Sequence, residues 1–241
     1  MWTACMWGGI SASAVVIGAL AALFLKIPER VIGWIMAFGT GTLIGAATFE
    51  LLGDALNDGG IVPTAIGFTA GAVVYTLFDL LISAKGGAGR KRSGKKEDWN
   101  QSGLGIFAGT VMDAIPESIM LGASLLAGNG VSVVLVVSIF VSNIPEGLSS
   151  TFGLQGSKYS KGKILFMWLS VLLISALAAL GGYLFLELLP EEMGAAIGAF
   201  AGGGIIAMIC STMMPEAFEE GGPVVGLIAS MGLLVSLLLD L

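Results

Sequence analysis

The chain has 241 residues, of which 56% are apolar and only 12% charged, with a mean hydropathy of +0.93. Soluble domains carry about 25% charged residues, so these values exclude a water-soluble core protein. The formal charge is −6 and the basic residues form only one short cluster, so nucleic-acid binding has no support.

The N-terminal MWTACMWGG has no basic stretch ahead of its apolar run, and no cleaved signal peptide is expected. A membrane helix needs about 20 mostly apolar residues. Eight such runs follow in chain order, at roughly 6–25, 31–53, 62–84, 103–127, 130–153, 162–187, 192–215 and 222–240. The turn AGNGVS between spans 4 and 5 is short enough to make those two an antiparallel hairpin. Glycine, at 37 residues, suits close packing of membrane helices and permits a homodimer without requiring one. Cys5 and Cys210 are far apart in sequence and support neither a disulfide framework nor a CxxC site.

Lysine and arginine set the orientation. Lys26 and Arg30 fall between spans 1 and 2. Lys85, Arg90, Lys91, Arg92, Lys95 and Lys96 fall between spans 3 and 4, and Lys158, Lys161 and Lys163 between spans 5 and 6. That accounts for all 11 basic residues, and an eight-span chain puts them on one face. That face is expected to be cytoplasmic, with both termini outside. The segment 85–102 reads as a polar cytoplasmic loop that fixes topology. Its basic residues also fit a lipid-binding loop, which nothing else favours.

The order of motifs repeats. IGALAAL at 17–23 returns as ISALAAL at 174–180, FGTGTLI at 38–44 as FAGGGII at 200–206, and GDALNDGG at 53–60 as PEAFEEGG at 215–222. Spans 1–3 thus recur as spans 6–8 with opposite direction, an arrangement common in secondary transporters. The expected fold is a single all-α integral membrane domain over 1–241. Its eight transmembrane helices form an inverted repeat around a central hairpin of helices 4 and 5.

Both central spans place ionisable groups at membrane depth. DAIPES begins at Asp113 and SNIPEG at Ser142, 29 residues later. Asp113 and Glu117 are four apart and share a helix face, as do Ser142 and Glu146, with Asn143 one position round. Pro116 and Pro145 each remove a backbone donor and release the carbonyl four residues earlier. A carboxylate at the bilayer centre costs about 2.5–3.5 kcal/mol on insertion scales. With no basic residue in any span, these carboxyls either carry protons or hold a cation. A divalent cation would neutralise two of them. A purely structural reading, with proline kinks and hydrogen-bonded neutral carboxyls, suits one such residue better than two matching copies.

Further acids extend the line. Glu50 and Asp54 lie near the outer end of span 2, and Glu216, Glu219 and Glu220 near the inner end of span 7. Glu50, Asp54 and Glu216 are candidate pathway residues. Asp58, Glu219 and Glu220 read as solvated helix ends, Asp79 as interfacial, and Met213 and Met214 as packing.

These motifs resemble the ZIP (Zrt/Irt-like) family of divalent-metal transporters, notably its bacterial branch. DAIPES and SNIPEGL occupy the places of that family's HNxPEG-like phrases, and MMPEAFEEGG fits its helix 7. The resemblance covers essentially the whole chain. It implies metal ligation by Asp113, Glu117, Ser142, Asn143 and Glu146, with Glu146 as the bridging carboxylate where two metals bind. The chain departs from the family pattern at three places. Asp113 stands where the family has histidine, Ala114 cannot ligate, and Ala179 stands where helix 6 usually offers an acid. These departures favour a single site. They also favour an oxygen-only ligand set, which suits Mg, Ca and Mn, whereas imidazole suits Zn and Fe. Zinc is the substrate the family implies, with manganese and iron(II) as alternatives.

The expected function is movement of a divalent metal into the cytoplasm across the inner (plasma) membrane. Metal is substrate here, and no cofactor and no enzymatic activity are expected. No GxxxxGK motif followed by Ser or Thr is present, and HExxH needs histidine, which the chain lacks. A two-aspartate protease has only Asp54 and Asp113 as remote candidates. The stronger rivals are a proton-coupled transporter of a non-metal solute and a metal-binding homologue that does not transport.

Overall fold

The computed structural model describes residues 2–84, 103–125, 131–186 and 190–240, with the backbone alone at 82–84, 103–106, 112–113, 186, 191 and 240. The basic segment 85–102 and most of the predicted turn at 127–132 lie outside the described residues. Among the described residues the chain is helical and has no strand. In order, the helices are α1 (Trp2–Phe24), α2 (Glu29–Gly45), α3 (Gly53–Gly59), α4 (Ile61–Ala84) and α5 (Gly103–Ser124). They continue with α6 (Val133–Gly156), α7 (Lys161–Leu186), α8 (Glu191–Met208), α9 (Met214–Gly221) and α10 (Val225–Asp240).

Two junctions extend the spans read from the sequence. A π-helical stretch, Ala46–Leu52, runs α2 straight into α3, and a second, Ile209–Met213, runs α8 into α9. The polar GDALNDG and PEAFEEG segments are therefore continuations of membrane helices, although hydropathy alone cuts the spans at 53 and 215. Each long rod ends at a glycine with positive φ, Gly60 and Gly222, both at +74°. That conformation is natural only for glycine and stops the helix.

Among the described residues, six rods are long and apolar enough to cross a membrane: Trp2–Phe24, Glu29–Gly59, Ile61–Leu81, Val133–Gly156, Lys161–Phe185 and Glu192–Gly221. The chain is thus multi-pass. α5 has sufficient length at 22 residues but carries Asp113, Pro116 and Glu117. α10 is 16 residues long, about 24 Å at ~1.5 Å per residue.

The helices sort into two groups by their packing. In the first, α6 packs on α1, α1 on α7, and α7 on α5. In the second, α4 packs on α8, α10 on α2, α9 on α2 and α3 on α8. The broadest contact between the groups is α2 against α6. The expected α5–α6 hairpin is looser than its short turn suggests. The two helices touch through Thr110 and Ser150, 3.4 Å apart, but α5 leans on α7 and α6 on α1.

Glycine explains this choice of partners. Four helix pairs cross with a glycine from each helix against a backbone carbonyl of the other: Gly18 and Gly147, Gly122 and Gly182, Gly41 and Gly232, Gly71 and Gly203. A Cβ at any of these eight positions would lie 1.8–2.2 Å from that oxygen. In lipid, where apolar burial gives helices little reason to associate, backbone approach of this kind supplies the van der Waals contact that holds them.

Gly147→Val should therefore destabilise the protein by at least the ~1–3 kcal/mol typical of overpacking. Gly181, with nothing within 4 Å of its virtual Cβ, should accept alanine with no loss or a gain of up to about 1 kcal/mol. Thermal unfolding of the detergent-solubilised protein checks both.

Candidate functional site along helix α6

α6 carries the densest run of buried polar side chains in the fold. Ser138, Ser142, Asn143, Glu146, Ser149, Ser150 and Thr151 are all buried. Ser138, Ser142, Glu146 and Ser149 recur at helical spacing and form one stripe. α6 begins at Ser132, whose Oγ accepts from the Leu135 amide at 2.9 Å, an N-cap that satisfies one of the first-turn donors. Pro145 stays inside the helix and leaves the Val141 carbonyl without its i+4 partner. Pro116 does the same to Met112 in α5.

The predicted ligands have different surroundings. Glu117 on α5 and Glu146 on α6 are 2% and 6% exposed, so both carboxyls are withdrawn from the surface. The Ser142 hydroxyl donates to its own helix, to the Ile139 carbonyl at 3.0 Å. The Asn143 amide nitrogen donates to the Ser11 carbonyl of α1 at 3.4 Å, so this side chain also ties α6 to α1. The backbone of Asp113 lies on α5, one turn before Glu117, and its side chain lies outside the described residues. Among the described residues, no group of three or more His, Cys, Asp or Glu side chains is close enough to hold a metal ion.

The three pathway candidates separate. Glu50 sits in the first π-helical stretch, half-buried, and accepts a hydrogen bond from the Ser132 hydroxyl. Glu216 sits at the start of α9, 5% exposed, and accepts from the Ser149 hydroxyl, one turn beyond Glu146. Asp54 is exposed on α3, although it is the repeat counterpart of Glu216. Ser132 and Ser149 are 17 positions apart, about 26 Å along a helix at ~1.5 Å per residue. That length is most of a ~30 Å hydrocarbon core. The polar stripe of α6 therefore runs from one acid to the other.

Sequence reasoning passed over Ser132 and Ser149. Serine is common in membrane helices, and Ser132 looked like part of a turn. Ser149 did carry a signal, three residues beyond Glu146 on the same face. The quieter assignments agree with the structure except at Glu220, expected at a solvated helix end but half-buried at the end of α9. Asp58 and Glu219 are exposed, and Met213 is buried in the apolar core with Met214 packed against it.

Comparison with known proteins gives one informative match. No family model matches the chain. A protein of Arabidopsis thaliana named "Putative zinc transporter" is 26% identical over 214 residues, covering 88% of this chain and 34% of the plant protein. The chain thus spans about a third of that relative's length.

The hydrogen bonds above separate anchoring from ligation at two neighbouring positions. Asn143→Ala should lower stability in the absence of metal by about 0.5–1.5 kcal/mol, the net worth of one hydrogen bond. Ser142→Ala, whose hydroxyl is turned onto its own helix, should stay within about 0.5 kcal/mol of wild type. Thermal unfolding without and with added metal distinguishes the two.

Proposed function

We propose that this chain is a ZIP-like transporter that moves a divalent metal across the membrane into the cytoplasm. The observation that carries the reading is the set of carboxylates withdrawn from the surface along α6. Glu117, Glu146 and Glu216 are all 6% exposed or less, in a chain without histidine. Buried ionisable groups in membrane helices are expensive and mark ion pathways. The name of the plant relative supports metal as the substrate.

In this reading metal enters past Glu50, binds between α5 and α6 at Asp113, Glu117 and Glu146 with oxygen from Ser142 or Asn143, and leaves past Glu216. Zinc is the first candidate. An all-oxygen site keeps manganese and iron(II) as alternatives. Asp54, exposed on α3, belongs to the mouth of the pathway.

The eight-span inverted repeat belongs to the same proposal. It adds α5 and α10 to the six spans and puts both termini outside. Three correspondences support it. The two π-helical stretches, Ala46–Leu52 and Ile209–Met213, fall at matching positions of the repeat. Gly60 and Gly222 match in place and in φ. Gly41 and Gly203 also match, and each meets a carbonyl of the helix that follows the other's rod, Ala229 of α10 and Phe68 of α4. The two helix groups meet mainly at α2 and α6, so sliding or rocking of one on the other would move the polar stripe relative to Glu50 and Glu216.

Proteoliposomes containing the full chain, offered zinc, manganese, iron(II), cobalt and magnesium in turn, test the reading. Saturable uptake of at least one metal is expected. Glu117→Ala and Glu146→Ala should each reduce it by tenfold or more, about 1.4 kcal/mol of lost stabilisation. Absence of uptake for every metal would overturn metal transport and leave the carboxylates as proton carriers or structural groups.

A further inference from the structure

We propose that Ser149 and Ser132 are two positioning latches, each of which holds the two helix groups in register until a cation occupies the carboxylate it grips. The inference rests on the transport reading above.

Side-chain hydrogen bonds from α6 and its cap cross the boundary between the groups. Ser149 donates to Glu216 on α9, Ser132 to Glu50 in the first π-helical stretch, and Ser138 to the Thr42 carbonyl of α2 at 3.1 Å. Several other bonds stay inside one group. Asn143 reaches Ser11, Trp168 reaches Thr151 at 2.8 Å, and Thr110 meets Ser150, all within the first. Trp34 reaches the Gly221 carbonyl at 3.1 Å within the second. The Ser149, Ser132 and Ser138 bonds therefore resist sliding of the groups. Those of Ser149 and Ser132 differ from the Ser138 bond in kind, because their acceptors are carboxylates.

A carboxylate that accepts from a hydroxyl offers the same lone pairs to a cation. A serine hydroxyl has one proton and two lone pairs. Beside an empty carboxylate the proton points at the oxygen and the bond bridges the groups. Beside a carboxylate carrying a divalent cation, the positive charge repels that proton. The hydroxyl then turns, and its oxygen faces the cation instead. Cation arrival thus removes a bond that favours one register, which is the differential interaction a population shift requires.

The two latches stand about 26 Å apart along α6 by helical rise. A cation at Glu50 releases one, and a cation leaving Glu216 re-forms the other. Ser132 keeps its cap while it does so, because it accepts from Leu135 through a lone pair and not through its proton. The latches are not repeat copies of each other. The counterpart of Glu216 is the exposed Asp54, and that of Glu50 is Thr212.

The test measures register directly, without relying on transport. In the full chain carrying Cys5→Ser and Cys210→Ser, spin labels at Lys163→Cys on α7 and Asp58→Cys on α3, both exposed positions, report the separation of the groups. Pulsed electron paramagnetic resonance is recorded in phosphatidylcholine–phosphatidylglycerol vesicles, without metal and with zinc chloride. Zinc is expected to populate a second distance in the otherwise unaltered protein. Ser132→Ala/Ser149→Ala should populate that distance without metal, about threefold or more above the metal-free reference. Ser149→Thr should restore the reference distribution and Ser149→Val should not, a pair that decides the matter where alanine yields no folded protein. Ser170→Ala, whose hydroxyl bonds only the Met167 carbonyl of its own helix, should change nothing. Distributions insensitive to both serines would overturn the latch. Metal uptake with serine-independent distances sinks the latch alone. Serine-dependent distances without uptake of any metal sink the transport reading and leave the latch in place.

Discussion

Lipid offers no hydrogen-bond partner, so every polar group at depth has to be satisfied by the protein itself. This constraint organises the molecule. α6 holds the largest share of buried polar side chains, and the helices around it are arranged to meet them. Ser11 of α1 receives Asn143, Thr42 of α2 receives Ser138, Trp168 of α7 reaches Thr151, and Glu216 of α9 takes Ser149. An apolar helix in the place of α6 would remove these cross-helix bonds. A polar helix at the lipid face would leave its own groups unsatisfied.

Close approach makes those bonds possible. Side chains as short as serine and asparagine reach a neighbouring helix only when the backbones nearly touch. The reciprocal glycine crossings provide that proximity, with Gly18 and Gly147 bringing α1 onto α6 around Asn143 and Glu146. Packing and polar satisfaction are thus one design. The same glycines that hold each group together leave the boundary between groups to α2 and α6, where hydroxyls contribute as well as packing.

The π-helical stretches belong to this design. Each widens a long rod just where an acid must turn towards α6: Glu50 lies inside the first, and Glu216 follows the second by three residues. π-helical turns are frequent at functional sites because they re-aim side chains without ending the helix. Pro215, which begins the turn carrying Glu216, supplies a local cause for the second stretch. The first has no proline, and its carboxyl remains half-buried.

Composition and hydropathy were enough to establish a helical membrane protein, because an apolar run of about 20 residues has few other destinations. The repeated IPE phrases were enough to single out Glu117 and Glu146, since a carboxyl beside a proline inside an apolar run is costly wherever it is placed. Periodicity could not say that the rods continue past residues 53 and 215, because the polar ends of long helices look like loops. Nor could it separate Glu216 from its repeat counterpart Asp54: segments of similar pattern place one carboxyl inside and the other at the surface. The roles of Ser132 and Ser149 arise the same way. A serine in a helix acquires meaning from the residue across from it, and that residue is 82 positions away in one case and 67 in the other.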